Sequence, residues 1–177
     1  MLLNAQEVSE YVGLMNSIKI NNFPKQISML TPLLTENVKL MNISHNNLRG
    51  VSFLKERGKF VNLEFLNINF NRINNVSDLM GLPNLTELHA KHNLIDHISI
   101  SAKEKYAVHY HSTNRLRVLD LGWNQISKEE DLWSLRNLSE LKMVNLAGNA
   151  IMRGQKWMGL IRKELILDYE DLYVSVG

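Results

Sequence analysis

The sequence predicts an α/β solenoid, with a curved parallel β-sheet on a concave face and short helices or turns on the convex face. Three observations carry that prediction. The stretch LRVLDLGWNQI, Leu116 to Ile126, fits the pattern Leu-x-x-Leu-x-Leu-x-x-Asn-x-Ile without a substitution. The same pattern returns in one register from Val38 (VKLMNISHNNL), Leu63 (LEFLNINFNRI), Leu85 (LTELHAKHNLI) and Leu141 (LKMVNLAGNAI). Every copy places an asparagine at its ninth position: Asn46, Asn71, Asn93, Asn124 and Asn149.

The spacing states what each position does. Leu119 and Leu121 are two apart, so in an extended strand they point to one face while Val118, Asp120 and Gly122 point to the other. Leu116 and Ile126 fill the bends on either side. The asparagine stands where the chain leaves the strand, and its amide, with an acceptor and two donors, can satisfy turn backbone groups that the fold would otherwise bury. One such unit cannot hide its apolar face alone, so the pattern requires neighbours stacked on both sides.

In chain order, residues 1–14 are expected to form an N-terminal helical cap. Asn4 and Glu7 can act as N-cap and capping-box partner, and Val8, Tyr11, Val12 and Met15 recur at helical spacing. A lid over the apolar edge of the first repeat is favoured over a partner-binding helix. The repeats then occupy residues 15–151, about six in all. The first is degenerate: it starts at Met15, with Ile18 and Ile20 in the strand positions and Phe23 in place of the asparagine. Repeat starts are separated by 23, 25, 22, 31 and 25 residues. Ser52 to Phe60 is read as a convex helix with Val51, Leu54 and Phe60 inward. The excess of the fourth repeat falls in SISAKEKYAVHYHST, residues 99–113, an insertion that must bulge from the array as a loop or hairpin. Residues 152–177 are expected to close the far end as a C-terminal cap.

Composition sets bounds. The chain has 177 residues, 45% of them hydrophobic, enough for one domain with a sizeable core. No segment approaches the roughly 20 apolar residues that span a bilayer, so no membrane partner is expected. The opening MLLNAQEVSE has no basic region before an apolar run and does not read as a secretory signal. There is no cysteine, hence no disulfide framework. The net charge is +2, with the charges interspersed and no basic stripe, so direct nucleic-acid binding is not expected.

Chemistry-bearing patterns are scarce. There is no Gly-rich phosphate loop, no Gly-x-Ser-x-Gly elbow and no His-Glu-x-x-His. His45 and His92 hold equivalent positions two repeats apart, about 10 Å at strand spacing, too far for one ion to bridge. His109 and His111 lack an evident third ligand. The expectation is no catalytic residue, no metal and no cofactor, and therefore no enzyme.

The informative pattern is on the open side of the sheet. In stacked strands the third, fifth, seventh and eighth positions fall in columns. The third holds Leu40, Phe65, Glu87, Val118 and Met143, and the fifth holds Asn42, Asn67, His89, Asp120 and Asn145. The seventh holds Ser44, Asn69, Lys91, Gly122 and Ala147, and the eighth holds His45, Phe70, His92, Trp123 and Gly148. Large rings have no reason to recur at merely solvated positions, and clustered aromatics commonly supply interface hot spots. Phe65, Asn67, Phe70, His89, His92, Asp120, Trp123 and Met143 are therefore the candidate partner-binding residues. The alternative is that the eighth-position rings fold over the turn and pack locally.

With this motif at these spacings the chain resembles the leucine-rich repeat proteins, over nearly all of its length. The segments after the asparagines (Val51 and Leu54; Val76, Leu79 and Leu82; Leu132, Leu135 and Leu138) are similar to the short-repeat intracellular class found in regulatory subunits of protein phosphatase one. Trp157, Leu160, Ile161, Leu165, Leu167 and Asp168 resemble that class's C-terminal cap, a hydrophobic helix leading to a Leu-Asp strand. The chain departs from it at Asn149 and Ala150, where the family usually has Asn-Pro. The resemblance implies a non-catalytic protein–protein interaction scaffold or adaptor. It further implies a ciliary, axonemal or cytoskeletal setting, with dynein, tubulin or another axonemal component as partner. Extracellular members are usually closed by disulfide caps, so an intracellular location is expected, with cytoplasm or cilium favoured. The alternative is a ribonucleoprotein component, similar to the A-prime subunit of a spliceosomal particle, that binds an RNA-recognition protein in the nucleus.

Overall fold

In the computed structural model the described residues are 38–55, 60–77, 79, 82–99 and 115–153, with the backbone of two further strands at Ser17–Lys19 and Tyr173–Ser175. The expected N-terminal helix, the Phe23 connector, the insertion beyond Ser99 with His109 and His111, and Trp157 to Asp168 lie outside the described residues.

Each of the six motif copies supplies one short strand, and a seventh strand follows the last copy. In order these are β1 (Ser17–Lys19), β2 (Leu40–Asn42), β3 (Phe65–Asn67), β4 (Glu87–His89), β5 (Val118–Asp120), β6 (Met143–Asn145) and β7 (Tyr173–Ser175). They form one sheet in sequence order, with every neighbouring pair parallel. The register aligns the motif columns: Leu40 faces Phe65, Phe65 faces Glu87, Glu87 faces Val118 and Val118 faces Met143. The degenerate first copy keeps that register, Ser17 opposite Leu40.

The alternation read from the motif decides the core. First-position Val38, Leu63, Leu85, Leu116 and Leu141 are buried, as are fourth-position Met41, Leu66, Leu88, Leu119 and Val144. Sixth-position Ile43, Ile68, Ala90, Leu121 and Leu146 lie beneath the sheet with them. The convex segments close the layer. Val51, Leu54 and Phe60 are buried; of the helix expected over Ser52 to Phe60, Ser52–Lys55 form a 3-10 turn and residues 56–59 lie outside the described residues. The crossover from β5 to β6 carries helix α1 (Glu129–Ser134), continued as a 3-10 turn at Leu135–Asn137. Glu129, Glu130 and Asp131 fill the first turn of α1, where negative charge complements the exposed amide groups. Asp131 is buried, and one of its carboxylate oxygens accepts the Ile98 N–H at 2.8 Å, tying the helix to the preceding repeat. Leu132, Leu135 and Leu138 turn inward, while Trp133 points out, 44% exposed.

The far end differs from expectation in one respect. The strand stacked on β6 is Tyr173–Ser175, paired through Met143–Tyr173 and Val144–Val174, several residues beyond the expected Leu167–Asp168. Among the described residues no helix is long and apolar enough to cross a membrane.

Candidate protein-binding surface

Parallel pairing does not stop at the strand ends. Beyond each strand the eighth-position N–H donates to the seventh-position carbonyl of the next repeat: His45 to Asn69 at 3.0 Å, Phe70 to Lys91 at 2.9 Å, His92 to Gly122 at 3.0 Å and Trp123 to Ala147 at 2.6 Å. The eighth residue is thus pinned at the repeat spacing. It is also held in the left-handed backbone region, with φ of 58° at His45, 55° at Phe70, 54° at His92 and 56° at Trp123. That conformation costs a non-glycine residue about 1–2 kcal/mol.

Held at equal spacing in one conformation, the four side chains line up face to face. His45 stacks on Phe70 with centroids 4.4 Å apart, Phe70 on His92 at 4.5 Å, and His92 on Trp123 at 5.6 Å, with ring planes within 12–18° of parallel. Gly148, at φ 76°, ends the row. A Cβ there would lie 2.7 Å from Trp123 Cδ2, so the missing side chain is the space that the indole occupies. Phe70 and Trp123 remain 45% and 54% exposed. The rings do pack locally, against one another, and still present their edges to solvent.

Below this row the fifth-position residues hold the turns. Asn42 accepts the Ser44 N–H at 3.1 Å, Asn67 that of Asn69 at 3.0 Å, Asp120 that of Gly122 at 3.0 Å and Asn145 that of Ala147 at 3.0 Å. Each is a side chain bonded to the backbone two residues on, which fixes the bend toward the eighth position. His89 breaks the series, and the Lys91 N–H is accepted instead by Asn69 Oδ1 from the neighbouring repeat at 2.7 Å. His89 is free to lie against Phe65, centroids 5.1 Å apart, and its Nε2 is 3.5 Å from Glu87 Oε2. Asp120 Oδ1 also accepts from Asn145 Nδ2 at 2.8 Å. Gly122 leaves room for that bond, since a Cβ there would stand 2.9 Å from Asn145 Nδ2.

The ninth-position asparagines lock repeat to repeat. Asn124 Nδ2 donates to Leu121 of its own repeat at 2.9 Å and to Ala90 of the preceding one at 3.0 Å, while its Oδ1 accepts the Ile95 N–H at 3.0 Å. Asn93 does the same with Ala90, Ile68 and Ile73, Asn149 with Leu146, Leu121 and Ile126, and Asn71 with Ile68, Ile43 and Leu48. Asn46 is buried as well and donates to Ser44 O at 2.8 Å. One parallel strand per motif, closed by a buried asparagine ladder, decides the architecture. The chain folds as a leucine-rich repeat solenoid.

Comparisons agree. No model of a known protein family matches the chain. Lumican of Oryctolagus cuniculus is 35% identical over 92 residues, 51% of this chain and 42% of lumican, so the chain spans less than half the length of that relative. Among solved structures, an internalin of Listeria monocytogenes is 25% identical with a TM-score of 0.58, over 82% of this chain and 38% of that one. Internalin C2 of the same species reaches a TM-score of 0.62 at 19% identity, over 99% and 84% of the two chains. A chain of the Drosophila melanogaster SNF/U2A′ complex gives 0.57 at 15% identity, over 77% and 71%. These last two likenesses speak to the fold alone.

In this leucine-rich repeat solenoid the expected surface residues share one face. Phe70, His92 and Trp123 form the ring row, Phe65 and His89 a second contact below it, and Met143 stands exposed at the β6 end. Asn67 and Asp120 lie on the same face, with one side-chain oxygen of each engaged in a turn. His45, not among the expected binding residues, is the fourth ring, and Leu40 is 43% exposed beside it on β2. Their column memberships were the available signal. Lysine and arginine ion pairs run along the second-position edge, Lys39–Glu64 at 2.8 Å and Arg117–Glu140 at 3.3 Å. Near the far bend, the hydrogen bond to His97 holds the Asp96 carboxyl below the usual carboxylate range. Among the described residues no group of three or more His, Asp or Glu could hold a metal.

Proposed function

We propose that this chain is a non-catalytic protein–protein interaction scaffold that holds a segment of a partner protein against its concave face. The observation that carries the reading is the row His45, Phe70, His92 and Trp123, stacked yet open to solvent on the face that the strands line. Exposed apolar surface of this kind gains about 25 cal/mol for each Å² that a partner covers. Stacked rings are also already ordered, so binding loses little side-chain entropy.

Two settings are proposed for it. The resemblance to short-repeat intracellular members of the phosphatase-regulator class supports a ciliary, axonemal or cytoskeletal assembly, with dynein or tubulin as partner. The absence of cysteine suits a reducing compartment. The second setting is a ribonucleoprotein entered through a protein partner, supported by the fold shared with a chain of the SNF/U2A′ complex.

Affinity capture with the tagged full chain from its own cells, with and without nuclease, tests both. Axonemal proteins retained after nuclease support the first setting, and nuclease-sensitive splicing factors the second. The Phe70→Ala, Trp123→Ala double variant is expected to lose the captured partner with its melting temperature nearly unchanged. Capture that survives both substitutions contradicts the concave-face reading.

A further inference from the structure

The concave face is almost without charge. Across its third, fifth, seventh and eighth columns the charged residues are Glu87, Lys91, Asp120 and, in the degenerate first copy, Lys19. Glu87 and Asp120 lie on neighbouring central strands, β4 and β5, with Glu87 beside Val118 and His89 beside Asp120 in the register. That places the two carboxylates diagonally, on the order of 8 Å apart at their Cα atoms.

No lysine or arginine of the described residues neutralises either one. Lys39 and Arg117 pair away from the two carboxylates, at the second-position edge, with Glu64 and Glu140, and Lys91, which shares the face, makes no ion pair with either carboxylate. Glu87 has only the His89 ring, at 3.5 Å. Asp120 accepts from the Gly122 N–H and Asn145 Nδ2, both uncharged donors. Around the pair stand rings: Phe65 against His89, and Trp123 three residues after Asp120, 54% exposed.

We propose that the bound segment presents an arginine, or less favourably a lysine, to the middle of this face. Its cationic head pairs with Glu87 and Asp120 while its stem lies along the ring pair of Phe65 and His89. Arginine fits better because a planar guanidinium stacks on aromatic rings and bonds carboxylates through two N–H groups at once. Residues flanking it in the partner are apolar, to cover the ring row and the exposed Leu40 and Met143. This assignment rests on the concave-face reading above and adds the chemistry of the partner to it.

The test is selection of a phage-displayed random dodecapeptide library on the tagged full chain. Enrichment of arginine beside apolar residues, relative to the unselected library, is the expected result. A fluorescein-labelled selected peptide should lose about tenfold or more in affinity for Glu87→Gln and for Asp120→Asn. The new asparagine at 120 keeps the oxygen that Gly122 and Asn145 use, so both variants should melt like the parent. Neutral or acidic selected peptides, or unchanged affinity in the two amide variants, overturn the cationic assignment. The concave-face reading then still stands if Trp123→Ala abolishes peptide binding. Peptides that bind the Phe70→Ala, Trp123→Ala variant as tightly as the parent overturn that reading and this inference together, as does a selection that enriches nothing.

Discussion

Asparagine and the eighth-position ring sit next to each other in every middle repeat, and they do opposite things. Asn124 is buried and bonds to its own repeat and to the one before it; Trp123 is exposed and bonds only through its backbone and its ring face. Replacing Asn124 by Ala strands the Ile95 N–H, while the Ala90 and Leu121 carbonyls each keep one amide donor, Asn93 Nδ2 at 3.0 Å and Asn149 Nδ2 at 2.8 Å. A buried unpaired group costs about 1–3 kcal/mol, so urea unfolding of Asn124→Ala should show a loss of about 2–3 kcal/mol. The ladder was legible in the sequence, because an invariant amide at the exit of an apolar strand has few other uses. The ring row was legible only as a column. Whether rings in a column meet depends on the left-handed turn that repeats at φ near 55°, which no residue type in His45, Phe70, His92 or Trp123 announces.

At the scale of the element, the turn from strand to ring works as a unit. A fifth-position Asn or Asp holds the seventh N–H, the eighth residue bends left-handed, and the ninth asparagine drops into the core. The last such turn carries Gly148, and Trp123 lies over it. Gly148→Ala should push the indole off its platform, weakening partner binding about as much as Trp123→Ala. It should also lose about 1–2 kcal/mol of stability from the left-handed backbone. A double-mutant cycle checks this: if Trp123 and Gly148 touch as described, adding Gly148→Ala to Trp123→Ala changes binding little further. Independent, additive losses would show that the indole does not rest there. The turn chemistry explains why β2 to β6 could be placed from the sequence and β7 could not. Tyr173, Val174 and Ser175 have no leucine pattern before them and no asparagine after them, and their place is set by the open edge of β6.

For the whole molecule, each repeat contacts its neighbours and the core runs unbroken through them from Val38 to Leu146, so stability belongs to the stack and the concave face is left for other work. Trp133 provides a control for that division. It is 44% exposed on α1, in the crossover on the other side of the chain from the strand-lined face, and no role in binding is assigned to it. Hydroxyl-radical footprinting with mass-spectrometric readout compares these side chains in one experiment, on the free chain and on the chain with its captured partner. The prediction is that Phe70, Trp123 and Met143 become protected in the complex while Trp133 is oxidised at its free rate. Protection of Trp133 with Phe70 and Trp123 unchanged would place the partner on the convex side and contradict the account.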